Sequence, residues 1–216
     1  MRSTRLIDLF CGAGGAAMGY HRAGFDVTGV DIRPQKNYPF EFHQADALTF
    51  PLDGFDAIHA SPPCQSYSRA FRHMADEKPM LIDDVRSRLI EAGVPWVIEN
   101  VEGAPVEVAS TLFGSHGVLL CGTSFGLRVE RHRRFETSFP VKQPACDHAA
   151  HAMNPHNVAG RERIYAEFGR GDPERVWRKA MGVEWTDKRG GRDAVPPAYT
   201  EFIGAAMMRH LEARRA

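Results

Sequence analysis

The chain has 216 residues, enough for one α/β domain with a sizeable core and a small appended lobe. Its 27 Lys and Arg residues balance 27 Asp and Glu residues, and its hydrophobic fraction of 43% is ordinary for a globular protein. No apolar run approaches the roughly 18 residues that cross a bilayer, which excludes a membrane-spanning chain. The sequence starts without a leader pattern, so we expect a cytoplasmic protein.

The balanced net charge hides an uneven distribution along the chain. Residues 128–192 carry more Lys and Arg than Asp and Glu, whereas residues 1–127 carry the reverse excess. The basic part is where a polyanion would dock, although a solvated Arg-rich surface explains it equally well. The four cysteines are far apart in the sequence, which favours reduced thiols over a disulfide framework.

The first half of the chain alternates between predicted strands and helices. Residues 5–10 form an apolar run that leads into a glycine cluster and a predicted helix at 16–23. Further strands are predicted at Asp26–Asp31 and at 55–60, the latter stopped by two prolines. An amphipathic helix at 80–92 precedes a buried-type strand at 96–98. This alternation predicts an α/β fold in which helices cover both faces of a mostly parallel sheet.

The second half is less regular. We expect strands near 118–121 and 134–137, a loop-rich insert at 140–172, and helices at 173–181 and from Pro197 onward. We divide the chain into a catalytic and cofactor-binding part (1–138), a reduced recognition insert (139–180) and a C-terminal segment that packs back on the first part (181–216).

The glycine cluster at residues 8–15 (DLFCGAGG) lies between a predicted strand and a predicted helix. Glycines at this place let the backbone turn tightly and approach a bound cofactor, although a tight turn alone also needs them. Asp31 ends the next strand, where a carboxylate accepts ribose hydroxyls, and Asp46 is placed to accept an adenine amino group. A phosphate-binding loop is excluded because no Gly-Lys-Ser/Thr follows.

A second motif, SPPCQSYS at residues 61–68, follows the predicted strand at 55–60. Ligands of open α/β sheets bind beyond the carboxyl ends of the strands, so Cys64 is expected to face the cofactor cleft as a nucleophile. A buried structural cysteine is the alternative. Glu99 ends the neighbouring apolar strand, where a carboxyl with a raised pKa is suited to sharing a proton with a ring nitrogen. In isolation, the same residue would be a strand cap.

The motifs DLFCGAGG, SPPCQSYS, IENV and RHRRF stand in an order and spacing that resemble the cytosine-5 DNA methyltransferase family. The resemblance covers residues 5–138 and, more weakly, 195–210. It implies a Rossmann-like methyltransferase fold with a small loop-rich recognition lobe, S-adenosylmethionine as cofactor and DNA as partner, with duplex DNA favoured. Among family members, the chain is most similar to short, phage-associated ones. The oligomeric state stays open, and a monomer is the simplest expectation.

The resemblance also implies roles for individual residues. Cys64 would attack carbon 6 of cytosine, Glu99 would bind ring nitrogen 3 and the exocyclic amine, and the pair Arg131 and Arg133 would complete the catalytic set, with Arg133 on the carbonyl oxygen. The implied cofactor-binding residues are Asp8, Phe10, Gly12, Gly14, Gly15, Asp31, Ile32, Asp46, Ala47 and Pro62. The implied substrate-binding residues are Gln65, Ser68, Arg69 and Asn100, and residues 67–80 match the loop that closes over a flipped base.

The chain departs from the family pattern in four respects, and the first is that residues 194–199 lack the usual glycine-asparagine element. Val129 replaces the usual glutamine before the arginine pair, and Ser61 replaces the glycine before Pro-Pro-Cys. The recognition insert is short, so sequence specificity should be relaxed or limited to a few bases. The same brevity leaves open that the substrate is RNA or a free cytosine nucleotide, or that the chain is a non-catalytic cofactor- or DNA-binding relative.

The insert contains a loose group formed by Cys146, His148, His151 and His156. These residue types ligate zinc and would brace a lobe with little core. Their spacing is not that of a standard zinc finger, and a polar loop supplies histidines anyway. From the sequence alone we therefore assign no metal site.

Overall fold

The computed structural model describes residues 2–63, 81–104, 106, 116–146, 148, 165–166 and 174–215. Its strands in chain order are β1 (Arg5–Leu9), β2 (Asp26–Asp31), β3 (Glu41–Gln44), β4 (Ala57–Ala60), β5 (Trp96–Asn100), β6 (His116–Leu120), β7 (Val129–Glu130), β8 (Arg133–Thr137) and β9 (Tyr165–Ala166). Its helices are α1 (Gly15–Arg22), α2 (Ile82–Glu91), α3 (Glu174–Met181), α4 (Lys188–Asp193) and α5 (Pro197–Arg215), with a 3-10 turn at Gly122–Phe125.

Seven strands form one mixed sheet in the order β3-β2-β1-β4-β5-β8-β6. The strands from β3 to β5 are parallel to one another, whereas β8 is antiparallel to both of its neighbours. The predicted α/β fold with a mostly parallel sheet is therefore confirmed. Within the described part of the chain, the model contains no helix with the length and apolar character that crossing a membrane requires.

Each face of the sheet has its own hydrophobic core, because successive side chains of a strand point to opposite faces. On β1, Leu6 packs in the core that contains α1 and α5, whereas Ile7 and Leu9 pack in the core that contains α2. Both faces are covered, which is why the central strands are nearly continuous apolar runs in the sequence. The predicted helices on both faces are confirmed.

Helix α5 packs against α1 at very short range. Gly19 of α1 leaves no room for a side chain, because a Cβ atom there would clash with the Pro197 carbonyl oxygen and with Thr200. The Thr200 hydroxyl also donates a hydrogen bond of 2.9 Å to the Ala16 carbonyl oxygen. These contacts hold the C-terminal helix α5 directly against α1.

Some elements of the structure have no strong signal in the sequence, namely β3, α4, β7 and β9. Strand β3 lies at the sheet edge and is mostly exposed, so it has no apolar run. Helix α4 contains two glycines and forms at a side-chain cap, where Asp187 accepts a 2.7 Å hydrogen bond from the Gly190 amide. The pair β7 and β9 has only two residues in each strand. Local periodicity cannot reveal elements this short.

A buried ion pair fixes α2 to the sheet. Glu136 of β8 is completely buried, and its two carboxylate oxygens accept hydrogen bonds of 2.9 Å from Nε and Nη2 of Arg86. Replacing Arg86 with methionine is expected to lower the free energy of unfolding by about 3–5 kcal/mol, because a buried carboxylate loses its arginine. Urea denaturation followed by circular dichroism measures this change.

The matched control is the double variant in which both Arg86 and Glu136 become methionine. It removes both buried charges, so it should recover most of the stability that the single variant loses. A single variant within about 1 kcal/mol of the wild type would show that the pair does not hold the helix.

Candidate active site

The carboxyl ends of β1, β2, β4 and β5 lie along one edge of the sheet, since these strands are parallel. Leu9, Asp31, Ala60 and Asn100 are the last residues of the four strands. This edge is where open α/β sheets bind their ligands. The glycine loop and the Pro-Pro-Cys motif both begin at this edge.

The glycine loop after β1 has backbone conformations that residues with a side chain rarely adopt. Phe10, Gly12 and Gly14 have positive φ angles of 57°, 49° and 82°. The Gly12 amide donates a 3.0 Å hydrogen bond to Oδ2 of Asp31, while Oδ1 of Asp31 accepts one of 2.9 Å from the Arg33 amide. No described atom lies within 4 Å of the position that a Cβ on Gly12 would take, so a ligand has room to approach the loop there.

The other predicted cofactor residues lie around the same loop. Ile32 is 68% exposed directly after Asp31, although large apolar side chains are normally buried. Asp46 is exposed, and its Oδ1 accepts a 2.9 Å hydrogen bond from the Leu48 amide, which orients the carboxylate. Ala47 and Pro62 are buried, and Gly15 is the first residue of α1.

Asp8 of β1 is completely buried, in contrast to the exposed Ile32 and Asp46. Burial raises the pKa of Asp8 well above its usual range, the charge of Asp31 adds to the rise, and the Ala17 backbone amide opposes it. Asp8 is therefore set to keep a proton beneath the glycine loop rather than to present a charge on its surface.

The loop that contains the predicted nucleophile is described only at its start. The Ser61 amide donates to the Leu9 carbonyl oxygen at 3.1 Å, and Asn100 Nδ2 donates to the Pro62 carbonyl oxygen at 2.9 Å. Asn100 also accepts a 2.9 Å hydrogen bond from the Val101 amide, so both of its polar groups hold backbone. The predicted residues Cys64, Gln65, Ser68 and Arg69, and the loop at 67–80, lie outside the described residues.

Glu99 and Arg133 meet where β5 and β8 run side by side. Nε of Arg133 lies 3.2 Å from Oε1 of Glu99, and less than a tenth of either side chain is exposed. Burial raises the pKa of Glu99, and the charges of Arg133 and Arg131 and the hydroxyl of Ser61 oppose that rise. The structure thus joins two predicted catalytic residues into one buried acid–base pair.

A polar chain behind this pair was missed in the sequence. The hydroxyl of Tyr20 lies 3.0 Å from Nδ1 of His59, and Nε2 of His59 lies 2.9 Å from the hydroxyl of Ser61. Burial lowers the pKa of His59 to about 3, so its imidazole is neutral and links two hydroxyls. The one sequence signal for this polar chain is the histidine inside the apolar segment FDAIHA.

Arg131 is buried on the other side of the arginine motif. Its Nη2 donates a 2.9 Å hydrogen bond to the carbonyl oxygen of Arg192, and the Tyr199 hydroxyl donates to the Arg131 carbonyl oxygen at 2.5 Å. These contacts tie the motif to α4 and α5. The charge of Arg131 lowers the pKa of Glu99, and Arg133 contacts Glu99 directly.

The Cys and His group of the insert, to which the sequence analysis assigned no metal, is only partly described. His151 and His156 lie outside the described residues. Cys146 and His148 are described, and they lie next to Cys121 and His132, two residues that the sequence analysis did not connect with them. The sequence does not reveal this proximity, because Cys121 follows β6 while His132 precedes β8.

Solved structures with the same fold are known. The chain superposes on the Schizosaccharomyces pombe Dnmt2 methyltransferase with a TM-score of 0.61 and 15% identity, covering 97% of this chain and 99% of that one. It superposes on the Entamoeba histolytica methyltransferase EhMeth with a TM-score of 0.59 and 15% identity, covering all of both chains. At this identity the likeness shows the fold, which is the predicted Rossmann-like methyltransferase fold.

Sequence comparisons find similarity to one family over the first half of the chain. A model described as "C-5 cytosine-specific DNA methylase" matches residues 4–106. The type II methyltransferase M.AquIA of Picosynechococcus is 31% identical over 123 residues, which are 46% of this chain and 49% of that protein. M1.HphI of Haemophilus parahaemolyticus is 32% identical over 121 residues, 46% of this chain and 32% of that protein.

The chain thus spans less than half the length of these curated relatives. The matched segment contains both the glycine loop and the Pro-Pro-Cys motif, and the fold places their ends at one edge of the sheet. On these grounds the chain is similar to the C-5 cytosine-specific DNA methylase family over residues 4–106.

Proposed function

We propose that the protein transfers a methyl group from S-adenosylmethionine to carbon 5 of cytosine in DNA, with Cys64 as nucleophile. The observation that carries this proposal is the buried contact between Glu99 and Arg133, one strand away from the end of β4 that leads into the Pro-Pro-Cys motif. A protein that only binds DNA does not need a buried acid beside a cysteine loop.

The residues around the glycine loop fit S-adenosylmethionine. The space before Gly12 admits a ligand against the backbone, and the carboxylate of Asp31 is held beside it by two backbone amides. Each carboxylate oxygen accepts more than one hydrogen bond, so Asp31 remains able to bind ribose hydroxyls. Ile32 offers an exposed apolar side chain for the adenine ring, and Asp46 an exposed carboxylate for its amino group. When bound, the cofactor supplies an electrophilic methyl group.

Glu99 and Arg133 have complementary tasks on the cytosine ring. The buried Glu99, with its raised pKa, shares a proton with ring nitrogen 3 and accepts from the exocyclic amine. Arg133 donates to the carbonyl oxygen of the base. Both interactions withdraw electrons from the ring, and they strengthen as negative charge develops on it.

Cys64 then completes the chemistry. Its thiolate adds to carbon 6, and the electron pair of the carbon 5–carbon 6 double bond takes up the methyl group at carbon 5, with S-adenosylhomocysteine as the leaving group. A base removes the carbon 5 proton, and the double bond forms again as the carbon–sulfur bond breaks. The thiolate leaves unchanged, so the residue is a true catalyst.

In duplex DNA, the target cytosine must leave the base stack before Cys64 can reach carbon 6. Extrusion costs a few kcal/mol, which closure of the loop and contacts with the phosphates must offset. We assign part of these contacts to Gln65, Ser68 and Arg69, by their match to the family's loop. The exposed side chains of Arg175 and Lys179 on α3 are further candidates for phosphate contacts.

A substrate panel tests the proposal. The full chain is incubated with labelled S-adenosylmethionine and, in parallel, with duplex DNA, single-stranded DNA, RNA and free cytidine nucleotides. We expect label in cytosine-containing DNA and its recovery as 5-methylcytosine after nuclease digestion. Transfer to RNA or free nucleotides alone would refute DNA as the substrate. Cofactor binding without transfer to any substrate would point to a non-catalytic relative.

A further inference from the structure

Two cysteines and two histidines that the proposed reaction does not use lie together beside the arginine motif. They are Cys121, His132, Cys146 and His148, and each offers a ligand atom within 4.8 Å of the other three. Sγ of Cys121 lies 3.2 Å from Nε2 of His148, and Sγ of Cys146 lies 4.0 Å from Nε2 of His132. We propose that these four residues form a tetrahedral zinc site.

The residue types and distances suit zinc. Two thiolates and two imidazoles are a common ligand set of structural zinc sites, with Zn–S distances of about 2.3 Å and Zn–N distances of about 2.0–2.1 Å. In a tetrahedron these bond lengths separate sulfur from nitrogen by about 3.6 Å. The two sulfur–nitrogen distances of 3.2 and 4.0 Å lie on either side of that value. Small side-chain movements would therefore complete the coordination shell.

The surroundings of the four residues also favour a metal. Cys121 is buried at the end of β6, and the Thr123 hydroxyl donates a 3.3 Å hydrogen bond to its sulfur. Such a bond stabilises a thiolate, as the partners of metal ligands commonly do. The rings of His132 and His148 lie with their centroids 5.0 Å apart and nearly perpendicular planes. Zinc binding would release the thiol protons to solvent and involve no redox step.

The place of the site suggests its use. His132 stands between Arg131 and Arg133, while Cys146 and His148 lie near the start of the predicted recognition insert. A metal there would tie the start of the insert to the sheet and hold the backbone of the arginine motif. Small regions with little core commonly need such a brace. The inference does not depend on the proposed methyl transfer.

Metal analysis of the full chain tests the proposal. The protein is expressed with added zinc and purified under reducing conditions. Its zinc content is then measured by elemental mass spectrometry. We expect about one zinc per chain. Cobalt exchange should give the visible bands of a tetrahedral ion and ultraviolet thiolate-to-cobalt charge transfer. Protein that binds no zinc, or cobalt spectra of an octahedral ion without thiolate, would overturn the site.

Variants assign the ligands. Cys146→Ser and His148→Asn are each expected to lose the zinc, whereas Cys11→Ala and His43→Gln, which lie outside the cluster, should keep it. Cys146 is exposed and His148 is partly exposed, so neither change disturbs the core. Retention of zinc in both cluster variants would assign the metal to other residues, such as His151 and His156, and refute the proposed set.

Thiol alkylation gives a test without any variant. Zinc should slow the modification of Cys146 in the folded protein, and a chelator should restore the rate. An alkylation rate of Cys146 that does not respond to zinc or chelator would contradict the site. A disulfide between Cys121 and Cys146, detected after rapid blocking of free thiols, would contradict it as well.

Discussion

Replacing Cys64 with alanine is expected to abolish methyl transfer, by roughly 10⁴-fold or more, while S-adenosylmethionine still binds. The reason is that the thiols among the described residues, at Cys11, Cys121 and Cys146, do not follow β4. Burial raises the pKa of Cys11, which keeps its thiol protonated in the glycine loop, and Cys121 lies at the end of the antiparallel part of the sheet. Loss of a catalytic nucleophile commonly costs this much or more. Transfer assays and calorimetric titration with the cofactor measure the two effects separately.

A covalent trap gives the independent check. DNA that contains 5-fluorocytosine at the target position cannot lose a proton from carbon 5, so the enzyme should remain bound through sulfur. Peptide mapping should place the adduct on Cys64 in the wild type and find none in the alanine variant. An adduct on another residue, or normal turnover by Cys64→Ala, would refute the mechanism.

Glu99→Gln is expected to reduce the methylation rate by about 10²–10⁴-fold, with little change in affinity for the cofactor. Glutamine keeps the shape of the side chain but cannot share a proton with ring nitrogen 3. The contact with Arg133 at 3.2 Å also loses its charge. Single-turnover kinetics with saturating DNA measure the effect, and Glu91→Gln on the exposed side of α2 is the matched control. Equal rates for both variants would remove Glu99 from the mechanism.

The raised pKa of Glu99 also has a consequence for stability. Because the folded protein holds this proton more tightly than the unfolded chain, the protonated carboxyl contributes stability below the ordinary glutamate pKa. That contribution is lost as the pH rises through the raised value. The wild type should therefore lose more stability than Glu99→Gln in this window. Urea denaturation of both proteins at several pH values measures the difference, and parallel curves would contradict the assignment.

Much of the fold follows from local patterns. The apolar runs of β1, β2, β4 and β5 are long enough to predict buried strands, and their parallel order follows from the helices between them. The glycine loop and Asp31 were placed together because their spacing is set by one strand–helix–strand unit, and the structure joins them through the Gly12 amide. Patterns of this kind act within about 30 residues, so the sequence is sufficient to predict them.

Contacts between distant segments are different. His59 becomes important only because Tyr20 and Ser61 lie on its two sides, and the first of these is 39 positions away. The proximity of Cys121 to His148 depends on two antiparallel pairings, β6 with β8 and β8 with β5. Neither pairing leaves a signal in local periodicity. Side-chain networks that form across such pairings have to be read from coordinates.

The segment that contains Cys64 is anchored at both of its borders by residues outside it. Asn100 holds the chain at Pro62, and Arg86 holds α2 on Glu136. A substitution at either anchor should therefore move one border of residues 64–80 without changing any residue within them. Variants at Asn100 and Arg86 thus separate the effect of the segment's placement from the effect of its own side chains.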